Sequence, residues 1–116
     1  MSALEGTSII GFRRAEKHGA RFTAVNPATN EPLKTEFVAA TLDDLGAAAR
    51  LASDAAPALR DASGAWKATL LRAIAVRLEE AAETIVPAAR EETALPMPRI
   101  QSELGRTCAQ LRLFAA

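Results

Sequence analysis

The side chains that could do chemistry in this 116-residue sequence include one thiol, one imidazole, two adjacent glutamate pairs and a set of guanidiniums. Cys108 is the sole cysteine, so it is the sole candidate thiol nucleophile. It leaves no internal disulfide and no cysteine-cluster metal site. A thiol nucleophile needs an activating neighbour. No histidine lies near Cys108 in sequence, and Cys108 falls in phase with Ile100, Leu104 and Leu111. A small buried hydrophobe is expected there. His18 sits in the polar stretch RRAEKHG, and a lone histidine in such a setting is expected to be solvated, without the partner that acid–base work requires. Glu79-Glu80 and Glu91-Glu92 are adjacent in sequence. On a helix adjacent side chains diverge, so both pairs read as solvated faces rather than acid–base dyads. No Gly-x-Gly-x-x-Gly and no Walker-type loop occurs, so the chain supplies no glycine-rich phosphate cradle. The residues by themselves assign no catalytic, cofactor-binding or metal site.

The elements expected to position these residues begin with short strands. Ser8 to Phe12 reads as a first strand, Arg13 to Gly19 as a polar hairpin connection, and Arg21 to Val25 as a second strand. Asn26 to Asn30 is a turn, because proline fixes φ and asparagine tolerates the left-handed region. Thr35 to Ala40 is a third extended piece. Helices follow. Thr41 and Asp44 make a capping-box-like start, and Leu45, Ala48, Ala52, Ala55 and Leu59 mark one helical face. Pro57 is expected to end or bend that helix, and Ser63-Gly64 punctuates before the next. Trp66, Leu70, Ile74, Leu78, Ala81 and Ile85 form a second stripe. Pro87 predicts a break or kink, because the residue before proline avoids helical geometry, and a short helix resumes through Glu92. LPMP, Leu95 to Pro98, is a stop. A last helix carries Ile100, Leu104, Cys108 and Leu111, with Phe114 close behind. The expected class is mostly α with an N-terminal β-hairpin, in a single segment over residues 1–116: hairpin and extended region 8–40, helices 41–116.

Composition sets the limits on this scheme. Formal net charge is zero, which leaves no electrostatic case for nucleic acid or an anionic membrane as partner. The hydrophobic fraction of 49% is inflated by 27 alanines, while Leu, Ile, Val and Phe number only 26. That is just above the roughly 20% level below which a self-sufficient core is doubtful. The opening MSALEGTSII has no basic segment followed by a long apolar run, and no stretch approaches the length of a membrane span. A soluble, cytoplasmic protein is expected. The chain closes on LRLFAA with its apolar residues still in helical phase and no capping glycine. Truncation is the expected reading of that ending, with a fraying terminal helix as the alternative.

The stretch FTAVNPATNEPL resembles the N-terminal hairpin of the NAD(P)-dependent aldehyde dehydrogenase superfamily, whose usual form is Asn-Pro-Ala-Thr-Gly-Glu; Asn30 stands in place of that glycine. TLDDLGAAARLASDAAPALRD and AWKATLLRAIAVRLEEAAETI look like the family's first two helices. REETALP looks like its Glu-Thr-Gly-Leu-Pro segment, with Ala94 for glycine. RIQSELGRTCAQLRLFAA is most similar to the α-ketoglutaric semialdehyde (2,5-dioxovalerate) branch. The likeness runs over residues 8 to 116. The departures Asn30, Pro87, Ala94 and Pro98 read as relaxed constraint or ordinary variation.

The resemblance implies a partial α/β fold: the N-terminal part of a cofactor-binding domain without its Rossmann-like sheet. It implies NAD or NADP as the parent family's cofactor, not bound by this chain. The family's catalytic cysteine, glutamate and asparagine lie C-terminal to the matching segment, and Cys108 does not match the catalytic cysteine motif. A fragment inactive alone is expected, derived from an enzyme that oxidises a carboxylated semialdehyde to the acid. By the same alignment Arg106 and Ser102 border the substrate tunnel of a complete enzyme, Arg106 holding the substrate's far carboxylate. The alternative for Arg106 is a surface arginine paired with Glu103 or Glu92. Expected partners are a second copy or the remaining dehydrogenase polypeptide. The alternative function is a small helical interaction module that binds a dehydrogenase subunit.

Overall fold

The computed structural model describes residues 5–116, so the first four residues of MSALEGTSII lie outside the description. Two short strands, β1 (Ile9–Ile10) and β2 (Arg13–Arg14), pair antiparallel in the register Ile9 to Arg14 and Ile10 to Arg13. The turn falls on Gly11-Phe12, with Gly11 at φ 63°. A glycine at positive φ in the first central position matches the strand twist in two-residue hairpins. The expected strand over Ser8 to Phe12 is therefore cut short, and the chain reverses before RRAEKHG instead of within it. The longer strands β3 (Arg21–Asn26) and β4 (Glu31–Val38) form a second two-stranded sheet. The rings of Phe22 and Phe37 stack across it at 5.5 Å, and Arg21 forms an ion pair with Glu36. Gly19 lies where the chain passes close to the end of β4: an added Cβ would stand 1.7 Å from the carbonyl oxygen of Ala39.

The β3–β4 turn explains one departure from the family motif. The Asn26 side-chain oxygen accepts from the N–H of Ala28 (2.9 Å), and the N–H of Asn30 donates to the carbonyl of Asn26 (2.8 Å). Closing the turn puts Asn30 at φ 59°. Glycine enters that region without steric cost, and asparagine enters it more readily than other residues with a Cβ.

Helix α1 (Leu42–Asp61) starts on the predicted cap. The Thr41 hydroxyl accepts from the N–H of Asp44 (3.1 Å), and the Asp44 carboxylate accepts from the N–H and hydroxyl of Thr41 (2.9 and 2.8 Å). These bonds hold the Asp44 carboxyl below its ordinary pKa, the Thr41 backbone N–H contributing most. Pro57 does not end the helix, which continues to Asp61. No side chain of α1 is buried; of its predicted face Ala48 is half-buried, and Leu45, Ala52, Ala55 and Leu59 are exposed.

Helices α2 (Gly64–Glu80), α3 (Ala82–Thr93) and α4 (Met97–Phe114) form the second packing unit together with the Asn26–Asn30 turn. The remaining described residues, up to Val25 and from Glu31 to Asp61, form the first. The Ser63 hydroxyl caps α2 by accepting from the N–H of Trp66 (3.1 Å). The break between α2 and α3 is at Ala81, six residues before Pro87, which lies inside α3. Restarting at Ala82 puts Pro87 in the second turn. There it has no N–H to donate to the carbonyl of Glu83, so one bond of the helical ladder is missing. Pro98 instead falls in the first turn of α4, where no intrahelical N–H is needed.

Helix α4 runs back along α2 and α3. Arg72 donates to the carbonyl of Ala115 at one end of the seam, and Val86 and Pro87 share a groove with Met97 and Gln101 at the other. Ala75, Val86, Ile100, Cys108 and Ala115 are buried. The inner row of α2 is Leu71, Ala75 and Leu78, with Leu70 and Ile74 exposed and Trp66 about half exposed. The first half of the predicted stripe is thus displaced by one residue, whereas Leu78, Ala81 and Ile85 are part-buried as expected. The alanine faces α4 because its small side chain permits close approach, while the bulkier neighbours are left outside.

Helix α3 ends with Ala94 at φ 56°. Asn30 and Ala94 are the only described non-glycine residues at positive φ, and both stand where the family motif has glycine. Alanine in the left-handed region costs about 1 kcal/mol relative to glycine. Ala94→Gly is expected to raise the midpoint of chemical unfolding by that order, without changing the denaturant slope, in a urea titration followed by circular dichroism.

Between α2 and α4, Arg112 forms two parallel bonds of 2.7 Å with the Glu79 carboxylate. Hydrogen bonding to Arg112 holds the Glu79 pKa below its ordinary value. A lowered carboxylate pKa stabilises the fold above the unfolded pKa, and that contribution is lost as pH falls through the folded one. Glu79→Gln is therefore expected to be less stable than the parent at neutral pH, with the gap closing in acid, measured by parallel urea titrations.

Candidate functional site

The residues singled out for chemistry are dispersed by the fold. Cys108 is buried on the α2 side of α4, its Sγ 3.6 Å from the carbonyl oxygen of Ala75. A thiol in that seam packs as a small apolar group. His18 is exposed, with Nε2 3.1 Å from Glu16. Glu79 turns to Arg112, whereas Glu80 turns to Arg77 at 2.7 Å. The adjacent carboxylates diverge, as helical geometry requires. Glu91 and Glu92 are exposed. Among the described residues no three His, Cys, Asp or Glu side chains converge to hold a metal ion.

Arg106 and Ser102 lie one turn apart on the exposed side of α4. Glu103, one expected partner of Arg106, is instead paired with Arg99 at 2.7 Å. Neither Glu92 nor any other described acid closes an ion pair with Arg106. The guanidinium borders a recess of about 530 Å³ on α4, which also includes Gln110, Leu111 and Phe114. Thr107 in the same recess has its hydroxyl committed to the carbonyl of Glu103 (2.9 Å). Ser102, Arg106 and Gln110 follow at steps of four, a row along one helix face. Gln110 escaped the sequence reading, although its spacing from Arg106 was the available signal. The recess thus joins an uncommitted guanidinium and a primary amide to an apolar wall, a combination suited to a short apolar chain ending in an anion.

A second concavity, about 570 Å³, lies where α4 passes the α2–α3 junction. Val86, Met97, Leu104 and Cys108 line it, and the carboxylates of Glu79 and Glu83 stand among its borders. The sequence did not reveal it, because its walls come from separate helices and the break at Ala81 creates its bend.

Gly64, at the start of α2, has no atom within 4 Å of an added Cβ, and both sheets are two-stranded. A dinucleotide cradle instead needs a glycine turn packed tightly between a strand and a helix N-terminus. Also among the described residues, no helix is long and apolar enough to cross a membrane.

Residues 12–116 match the model of the aldehyde dehydrogenase family. The chain is 36% identical over 113 residues to alpha-ketoglutaric semialdehyde dehydrogenase 2 of Azospirillum brasilense, with 97% of this chain and 22% of that protein covered. It is 32% identical over 115 residues to alpha-ketoglutaric semialdehyde dehydrogenase of Acinetobacter baylyi, with 99% and 22% covered. The chain therefore spans about 22% of the length of these curated relatives. The described residues form four helices and two small antiparallel sheets, and the chain belongs to the aldehyde dehydrogenase family.

Proposed function

We propose that this chain is the N-terminal segment of an NAD(P)-dependent semialdehyde dehydrogenase and does not oxidise aldehydes alone. In a complete polypeptide it belongs to the cofactor-binding domain, whose Rossmann-like sheet comes from elsewhere. The observation that carries the substrate reading is the uncommitted guanidinium of Arg106 in the α4 recess. The likeness to two α-ketoglutaric semialdehyde dehydrogenases supports it. A substrate of that class has an aldehyde at one end and a carboxylate at the other. Arg106 would hold the carboxylate by two parallel hydrogen bonds, geometry that lysine cannot copy. Ser102, one turn away, would add a hydroxyl donor. The reacting aldehyde, the nucleophile and the hydride acceptor lie with residues that this chain does not supply. The cytoplasm is the proposed location.

Two measurements test this reading. Purified chain, given a carboxylated semialdehyde with NAD⁺ or NADP⁺, is expected to form no NAD(P)H; turnover abolished by Cys108→Ser would overturn the proposal. In a complete enzyme carrying this segment, Arg106→Ala and Arg106→Lys are expected to raise KM for the carboxylated aldehyde roughly ten- to hundredfold, the worth of a charged hydrogen bond. An uncharged aldehyde of equal length should be nearly unaffected. Equal losses for both substrates would reduce Arg106 to a support of the fold.

A further inference from the structure

Two exposed features complement one another. The first is the tip of the β1–β2 hairpin. Phe12 is fully solvent-exposed (104%). Its neighbour Gly11 faces α1, where an added Cβ would stand 3.3 Å from Leu51. Arg14 is committed to Glu5 (3.0 Å), whereas Arg13 has no partner among the described residues. The tip therefore presents an aromatic ring beside an exposed cation. The second feature is the groove at the α2–α3 junction, with its apolar lining of Val86, Met97 and Leu104. No basic residue lines it. Of its two carboxylates, Glu79 is held by Arg112, and Glu83 is exposed and has no partner among the described residues.

We propose that the chain self-associates head to tail, the hairpin tip of one copy occupying the α3–α4 groove of a second. Phe12 enters the apolar groove, and Arg13 pairs with Glu83 of the second copy. The groove, at about 570 Å³, has room for an aromatic side chain. Aromatic and arginine anchors concentrate binding energy when they fill a pocket, and the opposite charges fix the register. The two surfaces differ, so the contact is heterologous: every copy retains one free tip and one free groove unless a ring closes. This inference concerns the isolated chain and does not depend on the dehydrogenase reading.

Sedimentation velocity over a hundredfold concentration range tests it. The parent chain is expected to show a sedimentation coefficient that rises with concentration beyond a dimer. Glu83→Lys, and the pair Phe12→Ser with Arg13→Glu, should each weaken association about tenfold or more. Phe12, Arg13 and Glu83 are exposed, so these changes leave the packing intact. Arg13→Glu combined with Glu83→Lys in one chain should restore association. A parent that stays monomeric, or association that survives Phe12→Ser with Arg13→Glu, would overturn the proposal.

Discussion

Close contact between α2 and α4 is the constraint on which the helical unit rests. Ala75 and Cys108 meet there because neither has the bulk to hold the helices apart, and the thiol reaches a backbone carbonyl across the seam. The seam is narrow, so the polar groups that flank it can reach over. Arg112 clasps Glu79 with two bonds, and Arg72 reaches the carbonyl of Ala115. These contacts fix α4, and α4 sets the position of both the Arg106 recess and the groove at the α2–α3 junction. Had a leucine occupied position 75, α4 would have to stand further off and the paired bonds to Arg112 would be lost.

Sequence periodicity revealed the helices and, in α4, the correct inner residues: Ile100 and Cys108 are buried as expected. It did not reveal the inner row of α2. Pattern reading favours large aliphatic residues, and it drew a line through Trp66, Leu70 and Ile74. The fold buries the alanine beside that line, because a helix with several alanines has more than one face that can pack. Proline rules misplaced the α2–α3 break for a related reason. Pro87 restricts the chain, but the break comes earlier, at Ala81, and leaves the proline inside α3, and the sequence carries no glycine or side-chain cap at Ala81 to advertise the change. The hairpin turn was missed because Gly11 was read as part of a strand instead of as the residue able to reverse it.

Of the candidate site, the chemistry that single residues can carry was legible, whereas its arrangement was not. The burial of Cys108 and the divergence of Glu79 from Glu80 followed from spacing alone, whereas the pairing of His18 with Glu16 did not. The freedom of Arg106 did not, because Arg99 competes for Glu103 and only the side-chain geometry decides which arginine wins. The motif comparison located Asn30 and Ala94 as substitutions for glycine, and the backbone supplies the reason: both positions demand positive φ.

Helix α1 differs from the others in having no buried side chain over its 20 residues. Its persistence depends on a capping box, helix-favouring alanines and a limited contact with β1 instead of on a core. Such a helix opens locally, from its ends inward, at a free energy well below that of global unfolding. Amide protons along α1 would therefore exchange with solvent through fraying, turn by turn, while those at the Ala75–Cys108 seam wait for the whole unit to come apart. The chain has two dynamic regimes, one resembling a peptide in water and the other a folded domain.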